Sequence, residues 1–299
     1  MHHAPAHTAR AYGLLTLTAL IWGGNSVAGK LAVGHISPLL LTTLRWGIAF
    51  CIILMFSLPQ IKRDWSVLSR KWYIPVLLGI VGYAMFNGFL YSSLQYTTAI
   101  NAVILQAGIP AVIFILNFAL FRIRVSFAQI AGFFVTLCGV LLTALRGDLS
   151  ALMGLVLNRG DVLMLGAVVV YAVYTVGLRW KPDIHWKSMI TFAFGGALLT
   201  CIPLSCYEYA SGSMTFPDFK GWMVVFYAAL FPSLVSQTFF LRGVELIGAN
   251  RAGLFVNLVP IFGTLLSVMM VGEHLHLYHL VALALVLGGI AFAERSKLK

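Results

Sequence analysis

Residues 73–94 read YIPVLLGIVGYAMFNGFLYSSL, and the corresponding stretch of the second half, residues 221–242, reads GWMVVFYAALFPSLVSQTFFLR. Each stretch has about the 20 mostly apolar residues that a helix needs to cross a bilayer. Each also carries an amide near its middle, Asn87 in the first stretch and Gln237 in the second. Because an amide that faces lipid costs free energy, these helices are predicted to turn one face toward protein or a water-filled cavity.

Apolar stretches of this length occupy the whole chain. Of its 299 residues, 60% are hydrophobic and only 10% are charged, and the mean hydropathy is +0.93. A soluble domain carries about 25% charged residues, so the composition excludes a soluble protein with a single anchor. The sequence predicts an all-α membrane protein with ten transmembrane helices, at residues 12–32, 38–58, 73–94, 99–120, 126–145, 161–180, 187–207, 221–242, 249–271 and 277–294.

The basic residues predict how these helices are threaded. If the N-terminus is cytoplasmic, fifteen of the twenty Lys and Arg residues fall in cytoplasmic segments and three in outer loops. The remaining two, Lys30 and Arg45, fall within spans. This bias follows the positive-inside rule. It predicts a multi-pass membrane protein with both termini in the cytoplasm. It also explains the net charge of +11 without nucleic acid as a partner.

The two halves of the chain repeat each other at an offset of 150 residues. Because each half contains five spans, an odd number, the second half is predicted to enter the membrane from the opposite side. The predicted repeats are residues 1–147 and 148–299. The identical pairs include Trp72 with Trp222, Phe89 with Phe239, Ala99 with Ala249, Ala102 with Ala252, Pro110 with Pro260, Leu116 with Leu266 and Gly139 with Gly289.

Several short motifs occur in a consistent order: Trp22-Gly-Gly-Asn25, Leu44-Arg45-Trp46, Ala99-Ile-Asn-Ala102, Gly248-Ala-Asn-Arg-Ala252 and Gly272-Glu273. In this order and over nearly the whole chain, the sequence resembles the drug/metabolite transporter superfamily, specifically its EamA-type ten-helix exporters. Within that family it is similar to the bacterial aromatic amino-acid exporters. The first half departs from the family pattern, because Arg122-Ile123 stands where a Gly-Glu pair often ends span four. A role for that acid therefore carries over only to Glu273.

Polar and aromatic side chains near midspan are the candidate substrate-binding residues. Tyr83, Asn87 and Tyr91 are four residues apart and share one helix face, and Ser233 and Gln237 repeat this spacing in the second half. Hydrogen bonding between helices, aromatic packing or an interfacial belt are the alternative roles. The full set is Trp22, Asn25, Tyr83, Asn87, Tyr91, Asn101, Gln106, Tyr171, Tyr174, Ser233, Gln237 and Asn257.

Two prolines are the candidate hinges. Pro110 in span four and Pro260 in span nine each remove a helical hydrogen bond and are predicted to kink their helices. The kinks either are static or act as hinges for alternating access.

The charges within the spans are few. Lys30 and Arg45 are interpreted as structural anchors that extend toward the outer interface, with binding of a substrate carboxylate as the alternative. All nine acids fall in loops or near span ends. The sequence therefore predicts an uncharged polar and aromatic cavity, and it favours facilitated transport over proton antiport.

These features predict an exporter of small amphipathic metabolites, with aromatic or hydrophobic amino acids as the best fit. The direction of transport is implied by the family resemblance alone. The alternatives are drug or metabolite efflux by proton antiport, or an intramembrane enzyme, for which no catalytic motif is found. No cofactor is predicted, and a solvated loop is preferred over a metal site for His274, His276 and His279. The expected partners are a small-molecule substrate and membrane lipid, and a monomer is sufficient.

Overall fold

The structure, a computed structural model, describes residues 5–96, 102, 105–106, 108–123, 126–144, 147–148, 159–271 and 276–295. Within these ranges the chain is helical and has no β-strand, as expected where lipid leaves backbone groups no partners outside their own segment. The helices are α1 Pro5–Leu31, α2 Pro38–Lys71, α3 Tyr73–Ser93, α4 Ile109–Phe121, α5 Phe127–Ala144, α6 Arg159–Trp180, α7 Trp186–Ala210, α8 Phe219–Ile247, α9 Ala249–Phe255, α10 Leu258–Val271 and α11 Leu277–Arg295.

Each predicted span corresponds to a helix or to a broken helix. By length and composition, five of the described helices, α2, α3, α6, α7 and α8, could each cross a membrane alone. Shorter apolar stretches lie in α4, α5 and α11, and α9 and α10 together form span nine. The prediction of an all-α membrane protein is confirmed.

Two predicted boundaries are wrong. The predicted second span ends at residue 58, but α2 continues through Pro59 to Lys71 and has 34 residues. At 1.5 Å per residue this helix is about 50 Å long, so its C-terminal part extends beyond a hydrocarbon core of about 30 Å. The first span is predicted to begin at residue 12, but α1 already begins at Pro5.

Spans four and nine are interrupted at matching positions. Residues 102 and 105–106 are helical, Gly108 is a turn, and α4 begins at Ile109. In the second half, α9 ends at Phe255 and α10 begins at Leu258. The predicted prolines are therefore at the start of a new helix, and they do not kink a continuous one. Pro110 is the second residue of α4 and Pro260 the third of α10.

The two halves pack against each other with two-fold pseudosymmetry. Helix α1 packs on α8 and α10, and its counterpart α6 packs on α3 and α4. Helix α2 packs on α7, and α5 packs on α11. Exchanging the halves reproduces this pattern. A stretch of π-helix also recurs at matching positions, Ile80–Met85 in α3 and Ala229–Val235 in α8.

Contacts at the two ends of α8 show that the halves are threaded in opposite directions. His35, just after α1, lies with its Nδ1 2.6 Å from Oδ2 of Asp218, just before α8. Lys181, just after α6, forms an ion pair of 2.9 Å with Glu245, near the end of α8. Helices α1 and α6 therefore end at opposite faces of the membrane. The prediction of two inverted five-helix repeats is confirmed.

The contact between His35 and Asp218 has an electrostatic consequence. The backbone amide of Gly221 donates to Asp218 at 2.8 Å, and the ring of His35 lies against the same carboxyl group. Both interactions favour the charged carboxylate and lower the pKa of Asp218.

Helices α2 and α7 are antiparallel, and each caps the other. At one face, Glu208 of α7 accepts hydrogen bonds from the Ser37 hydroxyl at 2.7 Å and the Leu40 amide at 3.0 Å, at the start of α2. At the other face, Asp64 of α2 accepts from the Ser188 hydroxyl at 2.6 Å, at the start of α7. Helix N-termini leave amides without partners and favour negative charge, so these contacts join the halves at both ends.

Helices α5 and α11 approach closely at a pair of glycines. A Cβ atom added to Gly289 would lie 2.6 Å from the carbonyl oxygen of Gly132 and 2.8 Å from the amide of Thr136. The neighbouring Gly288 has open space around the same position, with nothing within 4 Å. The contact therefore depends on the missing side chain of Gly289.

We expect Gly289→Ala to destabilise the protein by about 1–3 kcal/mol, the usual cost of overpacking. Gly288→Ala is the matched control and should leave stability unchanged. Thermal unfolding of the detergent-solubilised protein measures both variants. Equal unfolding temperatures for the two would contradict this packing.

Candidate substrate cavity between the two halves

A buried cavity lies where α1, α2, α3, α6 and α8 meet the breaks of spans four and nine. The space open to the centre of a water-sized sphere is about 20 Å³, enough for about one water molecule and far below the ~300–1,000 Å³ of typical ligand sites. In this conformation the cavity is therefore too small for a ligand of that size. The lining residues are Trp22, Asn25, Ser26, Arg45, Phe86, Asn87, Leu90, Gln106, Ile109, Tyr171, Pro232, Gln237 and Val256.

Arg45 is at the centre of the polar side of this cavity. Its Nε donates to the Ser233 hydroxyl at 3.0 Å, and its Nη1 donates to Oδ1 of Asn87 at 2.7 Å. Nη1 also donates to the hydroxyl of Tyr91, which in turn donates to Oδ1 of Asn25 at 2.9 Å. Four helices, α1, α2, α3 and α8, thus contribute groups to one hydrogen-bond network.

Two predictions about Arg45 are wrong. The side chain is 1% exposed and lies among protein groups, so it does not extend to the outer interface. The cavity is consequently not uncharged, because the guanidinium lines it. The sequence contained the signal for this position: Thr42, Arg45, Ala49 and Ile53 follow one face of α2, and all are buried. Lys30 lies at the end of α1, where its Nζ donates to the carbonyl of Leu94 at 3.0 Å.

Another part of the cavity lining is aromatic. Tyr171 of α6 contacts Trp22 edge-on at 5.5 Å between ring centroids, and Phe86 at 4.8 Å. Phe240 contacts both Trp22 and Tyr171 from behind. We refer to Trp22, Phe86 and Tyr171 as the aromatic wall. Phe86 was not predicted, because a phenylalanine in an apolar span carries no signal that separates packing from cavity lining.

Two buried polar atoms beside the cavity lack partners. Oε1 of Gln237 and the hydroxyl of Tyr171 form no hydrogen bond with any residue that the structure describes. Buried polar groups are nearly always hydrogen-bonded, and an unpaired one costs about 1–3 kcal/mol. Unpaired groups that line a cavity are therefore candidate contacts for a bound molecule.

The predicted site residues separate into five groups. Trp22, Asn25, Asn87, Gln106, Tyr171 and Gln237 line the cavity, and Tyr91 and Ser233 lie behind it as partners of Arg45. Tyr83 and Tyr174 are elsewhere, because their hydroxyls bond to each other at 2.8 Å beside the ring of Phe194. Asn257 is buried next to Val256, at the break of span nine, with both side-chain polar atoms unpaired among the described residues. Asn101 lies outside the described residues.

The helix breaks explain why irregular backbone is tolerated at this depth. Non-helical backbone within a membrane is found where it is buried in protein or lines a cavity. Gln106 and Ile109, on either side of the first break, and Val256, at the second, all line the cavity. The amides of Gly108 and Asn257 bond to carbonyls three residues back, at 3.0 Å and 3.2 Å. Both breaks therefore remain hydrogen-bonded.

A second, wider opening lies at the face where α6 and α8 end. It has a volume of about 410 Å³ by the same measure, and its lining includes Thr175, Arg179, Lys181, Asp183 and Glu245. We refer to it as the inner vestibule, because the distribution of Lys and Arg predicts the cytoplasm at this face. Thr175 lies one helical turn from Tyr171, so the vestibule reaches toward the aromatic wall from this face.

The histidines predicted to lie in a solvated loop belong only partly to the described residues. His274 and the predicted acid Glu273 lie outside them. His279 is 5% exposed, and its Nδ1 accepts from the amide of His276 at 2.9 Å. Among the residues that were described, no three His, Cys, Asp or Glu side chains are grouped to hold a metal ion.

Two oppositely threaded helical repeats around a polar and aromatic cavity define a multi-pass membrane transporter. The model of the EamA-like transporter family matches residues 9–145 and 158–294, and the chain belongs to this family. The predicted family is thus confirmed, and the chain is a transporter and not an enzyme. The predicted boundary between residues 147 and 148 stays a prediction.

Proteins with similar sequences are also described as transporters. The uncharacterized transporter YetK of Bacillus subtilis is 29% identical over 282 residues, which cover 94% of this chain and 85% of that protein. The uncharacterized transporter YyaM of the same organism is 25% identical over 284 residues, which cover 95% of this chain and 93% of that protein. A solved crystal structure has a TM-score of 0.75 at 21% identity and covers 95% of this chain and 96% of the other, which shows the fold.

Oε1 of Gln237, which has no partner among the described residues, generates a testable prediction. We expect Gln237→Leu to keep or raise the free energy of unfolding, by up to about 1–3 kcal/mol, because it removes an unpaired buried acceptor. The same change should lower the transport rate, because the substrate can no longer donate a hydrogen bond to this acceptor.

Gln129→Leu is the matched control. Gln129 is equally buried, in α5, but its Oε1 accepts from the amide of Ser126 at 3.1 Å, so this variant should lose stability. Chemical unfolding in detergent compares the two. A loss of stability in Gln237→Leu equal to that in Gln129→Leu would show that Gln237 is a structural group.

Proposed function

We propose that the protein exports small amphipathic metabolites, with aromatic or hydrophobic amino acids as the best fit, by alternating access through the central cavity. The observation that carries this proposal is the mixed lining of the cavity. Asn25, Asn87 and Arg45 provide polar groups, and the aromatic wall lines the same cavity. A solute with a polar end and an apolar or aromatic body matches this lining, because aromatic rings pack on aromatic rings and amides orient polar groups.

Alternating access is supported by the closed state of the cavity. About 20 Å³ is too small for an amino acid, so a solute requires the helices around the cavity to separate. Inverted repeats provide two equivalent ways to separate them, one toward each face. The inner vestibule, between the ends of α6 and α8, marks the route toward one of these faces.

The orientation in the membrane is part of the proposal. The excess of Lys and Arg at the face that carries the inner vestibule favours the cytoplasm on that side, with both termini cytoplasmic and the protein in a bacterial inner membrane. Export as the direction follows from the family resemblance. One copy of the chain is proposed to be sufficient for transport.

The driving force is proposed to be the solute gradient. Within the described residues, the lining of the cavity includes no carboxylate and no histidine, the groups that most often relay protons in coupled transporters. Proton antiport is the alternative, and a pH gradient imposed on proteoliposomes distinguishes the two.

Counterflow of labelled phenylalanine in proteoliposomes tests the substrate class. We expect uptake that unlabelled phenylalanine and leucine inhibit. Trp22→Leu should raise the concentration of unlabelled phenylalanine needed for half inhibition about 2- to 10-fold. This factor corresponds to the free energy of one aromatic pair. Trp65→Leu is the control, because Trp65 is 57% exposed on the extended end of α2. No counterflow of any amino acid would contradict the proposed substrate.

The prolines at the helix breaks are proposed hinges. Pro110→Ala and Pro260→Ala each restore an amide that can extend the helix through the break, so we expect slower transport with unchanged substrate binding. Pro203→Ala is the control, because Pro203 lies inside α7, exposed and away from both breaks. Counterflow rates and binding constants, measured on the same preparations, show whether the substitutions slow transport without changing substrate binding. Unchanged rates in both hinge variants, with unchanged stability, would argue against hinging.

A further inference from the structure

Arg45 carries a buried positive charge, and its hydrogen-bond partners among the described residues are all neutral. Its hydrogen-bond partners are the side chains of Asn25, Asn87, Tyr91 and Ser233. It forms no ion pair with an acid in the part of the chain that the structure describes. A charge at this depth costs several kcal/mol unless it is paired. Within the described residues the guanidinium thus lacks an anionic partner, and such a partner would reduce the electrostatic cost of burying its charge.

We propose that this partner is the carboxylate of the transported solute, so that the cavity has a fixed anion-binding pole at Arg45. The inference rests on the proposed function, because it concerns the solute that occupies the same cavity. It narrows the substrate class from amphipathic metabolites in general to those that carry a carboxylate.

The geometry of the guanidinium leaves room for a ligand. Nε and Nη1 are occupied by protein acceptors, whereas no hydrogen bond among the described residues uses Nη2. The guanidinium carbon lies 4.8 Å from the ring centroid of Trp46 and 5.7 Å from that of Tyr91. These contacts fix the plane of the group, and a fixed guanidinium fork is well suited to bind a carboxylate.

The broken helices add to the positive potential. Ile109, the first residue of α4, lines the cavity, and α10 begins two residues after Val256, which also lines it. The N-terminus of a helix carries a partial positive charge and favours an anion. In transporters, half-helices that begin at the site commonly bind the negative group of the substrate. Two helix N-termini and one guanidinium thus surround the same space.

The remaining lining sets the orientation of the solute. With its carboxylate at Arg45, the apolar body extends toward the aromatic wall. An ammonium group, where the solute has one, finds the unpaired Oε1 of Gln237 as its acceptor. The carboxylate is therefore required for binding, and the ammonium group adds to it.

Three ligands that share one aromatic body separate these contributions. Phenylalanine carries both charged groups, 3-phenylpropionate lacks the ammonium group, and 2-phenylethylamine lacks the carboxylate. Their apparent affinities are measured from the thermal stabilisation of the detergent-solubilised full chain. We expect phenylalanine and 3-phenylpropionate to bind and 2-phenylethylamine to bind at least tenfold more weakly.

Variants of Arg45 test the same point on the protein. Arg45→Gln should weaken binding of both carboxylates about 10- to 100-fold, the range for a charge-assisted hydrogen bond, and leave 2-phenylethylamine unaffected. Arg45→Lys, which keeps the charge but loses the fork, should be intermediate. Arg70→Gln removes an exposed arginine from the same helix and serves as the matched control. If Arg45→Gln does not fold, the three ligands on the unmodified protein decide.

Each outcome has a definite meaning. Equal binding of all three ligands overturns the anion-binding pole and leaves the proposed function standing. Binding of 3-phenylpropionate without phenylalanine supports the pole and contradicts amino acids as substrates. Binding of none of the three overturns both.

Discussion

The antiparallel pairing of α2 with α7 is the constraint on which the rest of the structure depends. Each helix begins at a carboxylate of the other, Glu208 at one face and Asp64 at the opposite face. Between these caps, the hydroxyls of Ser57 and Thr191 lie 2.7 Å apart. Two long helices held at both ends and along their length form a stiff seam between the repeats. Motion that opens the cavity is therefore expected in the helices around this seam, where the π-helical stretches and the breaks lie.

The seam also carries the charge of the site. Arg45 lies on α2, on the same buried face as Thr42 and Ala49, so its position is fixed by the pairing with α7. Its partners Asn87 and Ser233 come from α3 and α8, the two helices with a π-helical stretch. Rearrangement of these helices would change the number of neutral partners around the guanidinium. If access alternates as proposed, a charge of constant position with variable partners would couple a bound solute to the conformation, because the two states would bind it differently.

The sequence predicted the architecture more completely than the chemistry of the site. Apolar length and the distribution of Lys and Arg give the spans and the inversion, because the bilayer imposes both directly. The offset of 150 residues paired Asn87 with Gln237, and both residues line the cavity. It could not separate Tyr83, which bonds to Tyr174 away from the cavity, from Tyr91, which supports Arg45, because both share one helix face. For Arg45, the side chain is long enough to reach either the interface or the protein interior, so distance from the span end could not decide between them.

The symmetry of the helices does not extend to the side chains of the site. The position equivalent to Arg45 in the second half is Gly195, which lies against the ring of Phe50, and the position equivalent to Tyr83 is Ser233. A symmetric scaffold can exchange the conformations of its halves and thereby open the site to one face or the other. The single arginine stays with α2 during that exchange. A solute bound through its negative group would therefore keep one orientation relative to the seam, and access would change around it.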